Sequence, residues 1–149
     1  MKKFLLVLMM LAPVAPALAA QDLFMVRSQL SFPEAMLVLQ QSIGESGFKV
    51  SRVQRVDIGL TMSGYKTDKY RVVFFGDLNE LRTVSDLHPE LIPYLPLKIS
   101  IFAENGETLL LASSFGHLRP FYSSPALQLQ FDRWESAIRE ILERVRVAE

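Results

Sequence analysis

Residues 97–115, LKISIFAENGETLLLASSF, decide the fold of this chain. Two apolar runs flank Asn105-Gly106, the strongest short signal for a tight turn between antiparallel strands. In the first run, large apolar residues recur at every second position: Leu97, Ile99 and Ile101. This alternation is typical of a strand that buries one face. We therefore predict a β-hairpin with strands at residues 97–103 and 108–115.

The C-terminal segment has the clearest helical pattern in the chain. Its apolar residues recur every three or four positions and form one stripe: Leu127, Phe131, Trp134, Ile138, Ile141, Leu142 and Val145. Acidic and basic residues stand four apart on the other face, an arrangement that stabilises helices: Glu135/Arg139 and Glu140/Arg144. The helix has two alternative starts, one at Ser124-Pro125 and one at Asp132.

The segment before the hairpin alternates strands and helices. Ser31-Phe32-Pro33-Glu34 forms a capping box, which predicts a helix over residues 32–46 that ends at Gly47. Further elements follow from apolar periodicity and proline positions: strands at 22–29 (with Leu23 and Met25 in its apolar pattern), 48–58 (with a bulge) and 70–76, and a helix within 77–94 that Pro89 splits. The order β-α-β-β-α-β-β-α predicts an α+β domain with helices packed on a mainly antiparallel sheet.

The N-terminus has the pattern of a removable export signal. Lys2-Lys3 precedes the apolar run of residues 4–11, and Ala17-Leu18-Ala19 fits the small-residue rule for cleavage. Because prolines interrupt this segment, it is too short to span a membrane as a helix. We expect a signal peptide at residues 1–19, cleaved after Ala19 or the next alanine, a single domain at residues 20–149, and an exported, periplasmic protein.

Composition excludes several classes of function. The chain has 16 basic and 16 acidic residues, and removing residues 1–19 with their two lysines leaves 14 against 16. A net charge of −2 argues against a strongly basic nucleic-acid-binding protein. The absence of cysteine excludes disulfides, thiol nucleophiles and thiolate zinc sites. No glycine-rich phosphate-binding or dinucleotide-binding motif occurs, so no cofactor is expected.

Several short motifs follow one another between residues 48 and 115. They are Gly64-Tyr65, Phe74-Phe75-Gly76-Asp77, Leu95-Pro96-Leu97-Lys98 and the apolar strand Ile99-Ser100-Ile101-Phe102 before an acidic turn. In these motifs the chain resembles the bacterial domain of unknown function 302 family. The resemblance implies a compact β-α-β4-α domain like the repeat of the TATA-binding protein. Many members have Asn-Pro or a cysteine where this chain has Asp77-Leu78, so chemistry that depends on those groups is not expected here.

Lys98 and His117 are the candidate ligand-binding residues. Lys98 alternates with the core-facing residues of its strand and so points to the opposite face with Ser100 and Phe102. There it either holds an anionic group or is an ordinary solvent-exposed lysine. His117 follows Ser113-Ser114, which suggests a Ser–His pair, but no G-x-S-x-G motif is present and a surface-loop histidine is the simpler interpretation.

Asp86, His88 and Glu90 form the one cluster that resembles a metal site. A stable site needs at least three well-directed ligands, and Pro89 breaks the helical geometry that would direct them. We therefore expect a solvated helix end at this position and no bound metal.

These features predict a non-enzymatic module that binds a small ligand or a protein. One alternative is a hydrolase or lyase that uses Lys98, His117 and a nearby carboxylate. A second alternative is a structural or interaction protein that forms a homodimer through an edge strand. The sequence brings no acid, base and nucleophile together, so we predict no catalytic residues and favour binding. We expect no nucleic-acid partner and no membrane contact beyond the signal peptide.

Overall fold

This computed structural model describes residues 22–149. The predicted signal peptide and its cleavage site lie outside the described residues. Within the described range, no helix is both long enough and apolar enough to cross a membrane.

The described residues form five strands and four α-helices. In chain order they are β1 (Leu23–Ser28), α1 (Phe32–Glu45), β2 (Lys49–Arg55), α2 (Val56–Met62), β3 (Tyr70–Gly76), α3 (Leu78–Leu87), β4 (Leu97–Glu104), β5 (Glu107–Ser113) and α4 (Pro125–Val147). Short 3-10 helices cover Pro89–Tyr94 and Arg119–Phe121. The predicted α+β class is confirmed, and the predicted order β-α-β-β-α-β-β-α is found with one addition, helix α2 between β2 and β3.

All five strands belong to one antiparallel sheet with the order β1-β5-β4-β3-β2. The hairpin of β4 and β5 therefore lies at the centre of the sheet. Its turn has positive φ at both central residues, 52° at Asn105 and 86° at Gly106. Asparagine and glycine are the residues that adopt such angles most readily, which explains why this dipeptide folds the hairpin as predicted.

Helices α1 and α4 pack on one face of the sheet. That face presents the predicted core residues of β4 together with side chains of the neighbouring strands: Phe24, Val73, Phe75, Leu97, Ile99, Ile101 and Leu110. All seven residues of the apolar stripe on α4 are buried against this layer. The stripe and the alternation are confirmed because each places large apolar side chains where two layers can exclude water together.

The helix starts follow the local chemistry. The backbone amide of Ser31 donates a 3.0 Å hydrogen bond to Glu34 at the start of α1, and the hydrogen bonds from Ser31 lower the pKa of Glu34. Helix α4 begins at Ser124-Pro125, so the alternative start at Asp132 is wrong. On its exposed face, the predicted pair of Arg144 and Glu140 forms at 2.6 Å.

The structure corrects two predictions. The strand expected to reach residue 58 ends at Arg55, after the predicted bulge between Val50 and Arg52, and residues 56–62 form α2. Helix α2 is held by a salt bridge between Asp57 and Arg71, a contact that apolar periodicity does not report. The second correction is the face of β1, where Phe24 and Ser28 are buried.

Leu23 and Met25, taken as part of the apolar pattern of β1, are 40% and 53% exposed. Residues 23–26 are all apolar, so alternation could not choose between the two faces. The pairing of β1 with β5 determines which face is buried, because it places Phe24 beside Ala112 on the core side of the sheet.

Candidate functional site

The two central strands of the sheet separate at one end. The pairing of β4 with β5 ends at Ser100 and Leu111. Beyond that point β4 extends back to Leu97 in contact with β3, whereas β5 extends to Ser113 in contact with β1. Each strand thus stays paired with its outer neighbour while a gap opens between them.

A pocket of about 110 Å³ occupies this end of the sheet. Its buried apolar lining comes from the core side of the sheet, from the loop after β5 and from α4: Leu97, Phe115, Leu118 and Ile138. Its polar lining comes from Tyr94, Lys98, Ser113, Ser114 and His117. The pocket therefore combines an apolar floor with a rim that carries a cation, hydroxyl groups and an imidazole.

Both sequence-predicted candidates line this one pocket. Lys98 is exposed and lies on the face of β4 opposite the core, as the alternation predicted. His117 is exposed in the loop after β5, and its ring lies 6.4 Å from the ring of Tyr94 at an interplanar angle of 61°. The sequence placed the two residues on separate elements, and the separation of β4 from β5 brings them to the same rim.

Sequence reasoning missed Tyr94 and Ile138. Tyr94 ends a 3-10 helix and is joined to β4 by a cis Leu95–Pro96 peptide bond. The prolines around Tyr94 gave a signal for a fixed turn, though not for its position beside His117. Ile138 was correctly assigned to the buried stripe of α4, and nothing in that stripe distinguishes the one member that reaches the pocket.

The loop that carries His117 is anchored to α4 on both sides. The Phe115 amide donates a 2.6 Å hydrogen bond to Glu135, and the Arg119 guanidinium lies 3.1 Å from the same carboxylate. Arg119 also forms a 2.7 Å ion pair with Asp132. Since His117 lies midway between these two anchors, Glu135 fixes the segment that forms one wall of the pocket.

The polar groups of the rim are not arranged as a catalytic triad. The Ser114 hydroxyl is buried and accepts a 3.1 Å hydrogen bond from the Gly116 amide. Among residues 22–149, no carboxylate lies within ion-pair distance of His117 to orient it. A nucleophile of this class needs a base that a third group holds in place. The arrangement is suited to holding a ligand by charge, hydrogen bonds and apolar contact.

Tyr122 lies close to the residues before β4. Its burial raises the pKa of the phenol, and the nearby Glu90 and Tyr94 raise this pKa further.

The cluster considered as a metal site remains a helix end. The His88 amide donates to the carbonyl of Val84 at the end of α3, and the His88 ring lies 3.4 Å from Glu90. In the part of the chain that the structure describes, no group of three or more histidine and acidic residues is placed to hold a metal ion.

Comparison with known proteins supports the resemblance noted in the sequence. The family model described as domain of unknown function DUF302 matches residues 24–145. A crystal structure of an uncharacterized conserved DUF302 protein from Bacillus stearothermophilus superposes with a TM-score of 0.76. The two sequences are 22% identical over 85% of this chain and 100% of the other, so the likeness concerns the fold. No curated protein matches the chain.

Proposed function

Since the chain belongs to the DUF302 family, whose description names no activity, we propose a function from the pocket: the domain is a non-catalytic module that binds a small organic anion. The observation that carries this proposal is the position of Lys98 and His117 on the rim of an apolar pocket. An ammonium group attracts a carboxylate or phosphate group, and the buried lining favours an apolar remainder.

The volume of the pocket limits the size of the ligand. A dry cavity of about 150 Å³ accepts benzene, which has six non-hydrogen atoms. A pocket of about 110 Å³ with an open rim therefore suits an anion of roughly this size, with its charged group outside the apolar floor. Butyrate, a carboxylate on a short alkyl chain, is a suitable probe.

Binding is favoured over a hydrolase or lyase by the partners of the polar groups. His117 has no carboxylate to orient it among the described residues, and the Ser114 hydroxyl is engaged by the Gly116 amide. Lys98 is exposed, so its amine is solvated at the rim. A ligand anion can reach such an amine directly, whereas general acid–base catalysis needs the donor and acceptor to be held in place.

The test is a butyrate titration followed by NMR of the backbone amides. We expect the amides of His117 and Leu118 to shift and to saturate. Lys98→Gln keeps most of the side-chain length and removes the charge, so it should weaken butyrate binding by about tenfold while its amide spectrum remains that of a folded domain. Lys49→Gln, at an exposed lysine of β2 that does not line the pocket, is the matched control and should bind like the wild type.

Two results would contradict the proposal. One is a butyrate affinity that is the same in Lys98→Gln and the wild type. The other is binding of the neutral analogue butyramide as tightly as butyrate, because the ammonium group would then contribute no selectivity for anions.

A further inference from the structure

The sheet face opposite α1 and α4 is open and largely apolar. On β4 the outward residues run from Lys98 through Ser100 and Phe102 to Glu104, and all retain solvent exposure. Neighbouring strands add apolar side chains on both sides of them in register: Leu23, Met25, Tyr70, Val72, Phe74, Leu109 and Leu111. We call these eleven residues the open face. A contiguous apolar patch of this kind on a sheet marks an interaction surface.

Charged groups lie at the two ends of the open face, along the strand direction. One end carries Lys98 and, in the same row on β2, Arg52. The other end carries Glu104 and Glu107, which share Arg27 as partner at 2.5 Å and 3.8 Å. The first end is cationic, whereas the second keeps one negative charge in excess. An apolar centre between ends of opposite charge is self-complementary.

We propose that the open face packs against the open face of a second copy of this chain. A two-fold axis that crosses the strands between Ser100 and Phe102 inverts the strand direction. It sets Lys98 opposite Glu104 of the partner subunit, and the apolar rows cover one another. Isologous dimers of this type need a patch that complements itself, which a strand running from lysine to glutamate provides.

The size of the open face agrees with a dimer. When the adjoining strand β2 with Arg52 is included, five strands about 4.8 Å wide and seven residues rising about 3.3 Å each give a face of roughly 24 by 23 Å. Two such faces cover about 1,100 Å² even when taken as flat, which is just above the roughly 1,000 Å² that a biological interface should bury. Packed sheets lie about 10 Å apart, a distance that a lysine and a glutamate can span together.

Sedimentation velocity of the full chain between 1 and 100 µM tests the proposal. The wild type should sediment as a dimer. Leu111→Lys puts two charges into the apolar centre and should raise the dimer dissociation constant at least 100-fold. Leu37→Lys makes the same change at an exposed leucine of α1, away from the open face, and should leave the dimer intact.

A charge exchange tests the orientation and does not depend on how well Leu111→Lys folds. Lys98→Glu should raise the dissociation constant about tenfold, and adding Glu104→Lys should restore it to within about threefold of the wild type. A wild type that stays monomeric at 100 µM overturns the proposal, and so does a dimer that both Leu111→Lys and Lys98→Glu leave unchanged. Binding of the monomer to lipid vesicles through the same residues would also overturn it.

Discussion

Replacing Glu135 by alanine removes the group that holds the loop of the pocket to α4. In the wild type this carboxylate accepts the Phe115 amide at 2.6 Å and contacts Arg119 at 3.1 Å. Its side chain is 17% exposed, so water can only partly replace these contacts. The alanine variant leaves the amide without its acceptor and leaves Arg119 with weaker partners.

The magnitude follows from the two contacts. A hydrogen bond to a charged group contributes about 1.5–3 kcal/mol, and a partly exposed ion pair adds at most about 1 kcal/mol. We expect Glu135→Ala to lower the free energy of unfolding by about 2–4 kcal/mol. For a domain of this length that corresponds to a melting temperature lower by roughly 8–15 °C.

Urea and thermal unfolding measure the stability of three variants, Glu135→Ala, Glu135→Gln and Asp132→Ala, which should differ in how much stability they lose. Glu135→Gln keeps an acceptor for the Phe115 amide and loses the charge, so it should cost about 1 kcal/mol. Asp132→Ala removes the other carboxylate that contacts Arg119. Because the side chain of Asp132 is 62% exposed, this change should cost no more than about 0.5 kcal/mol. Equal stability of all three variants, within 0.5 kcal/mol, would refute the assignment of Glu135 as the anchor of the loop.

Three further predictions concern stability. Arg71 lowers the pKa of Asp57 below its usual 3.8, so their salt bridge stabilises the fold above that pH and is lost as the pH falls through the lowered value. Urea unfolding should show Asp57→Asn less stable than the wild type by about 1 kcal/mol at pH 7, with the difference shrinking below pH 3.8. Gly44→Ala fills open space in α1 and should stabilise by about 0.5 kcal/mol. Gly106→Ala, at a φ of 86°, should destabilise by about 1 kcal/mol in the same assay.

The parts of the fold that the sequence predicted are those in which the residue pattern of a single element is enough to identify its buried face. The stripe of α4 and the alternation of β4 each mark a buried face without reference to the rest of the chain. The errors occur where the conformation or the buried face of an element depends on its contact with another element. The face of β1 depends on its register with β5, and α2 depends on the contact between Asp57 and Arg71.

The same distinction applies to the candidate site. Lys98 could be singled out because alternation alone turns it away from the core. The pocket could not be predicted, because it exists where the pairing of β4 with β5 ends, and no residue pattern marks that point. The position of Tyr94 beside His117 likewise depends on how the turn before β4 meets the loop after β5.

The proposed anion site and the proposed dimer interface share one residue, Lys98. This residue lines the pocket, and it also lies at the cationic end of the open face. One ammonium group cannot be fully engaged by a ligand anion and by Glu104 of the partner subunit at the same time. By thermodynamic linkage, an anion that weakens the dimer by some factor is itself bound more weakly by the dimer, by the same factor. A lysine shared in this way couples occupancy of the pocket to the association of two copies, with the ligand favouring the monomer.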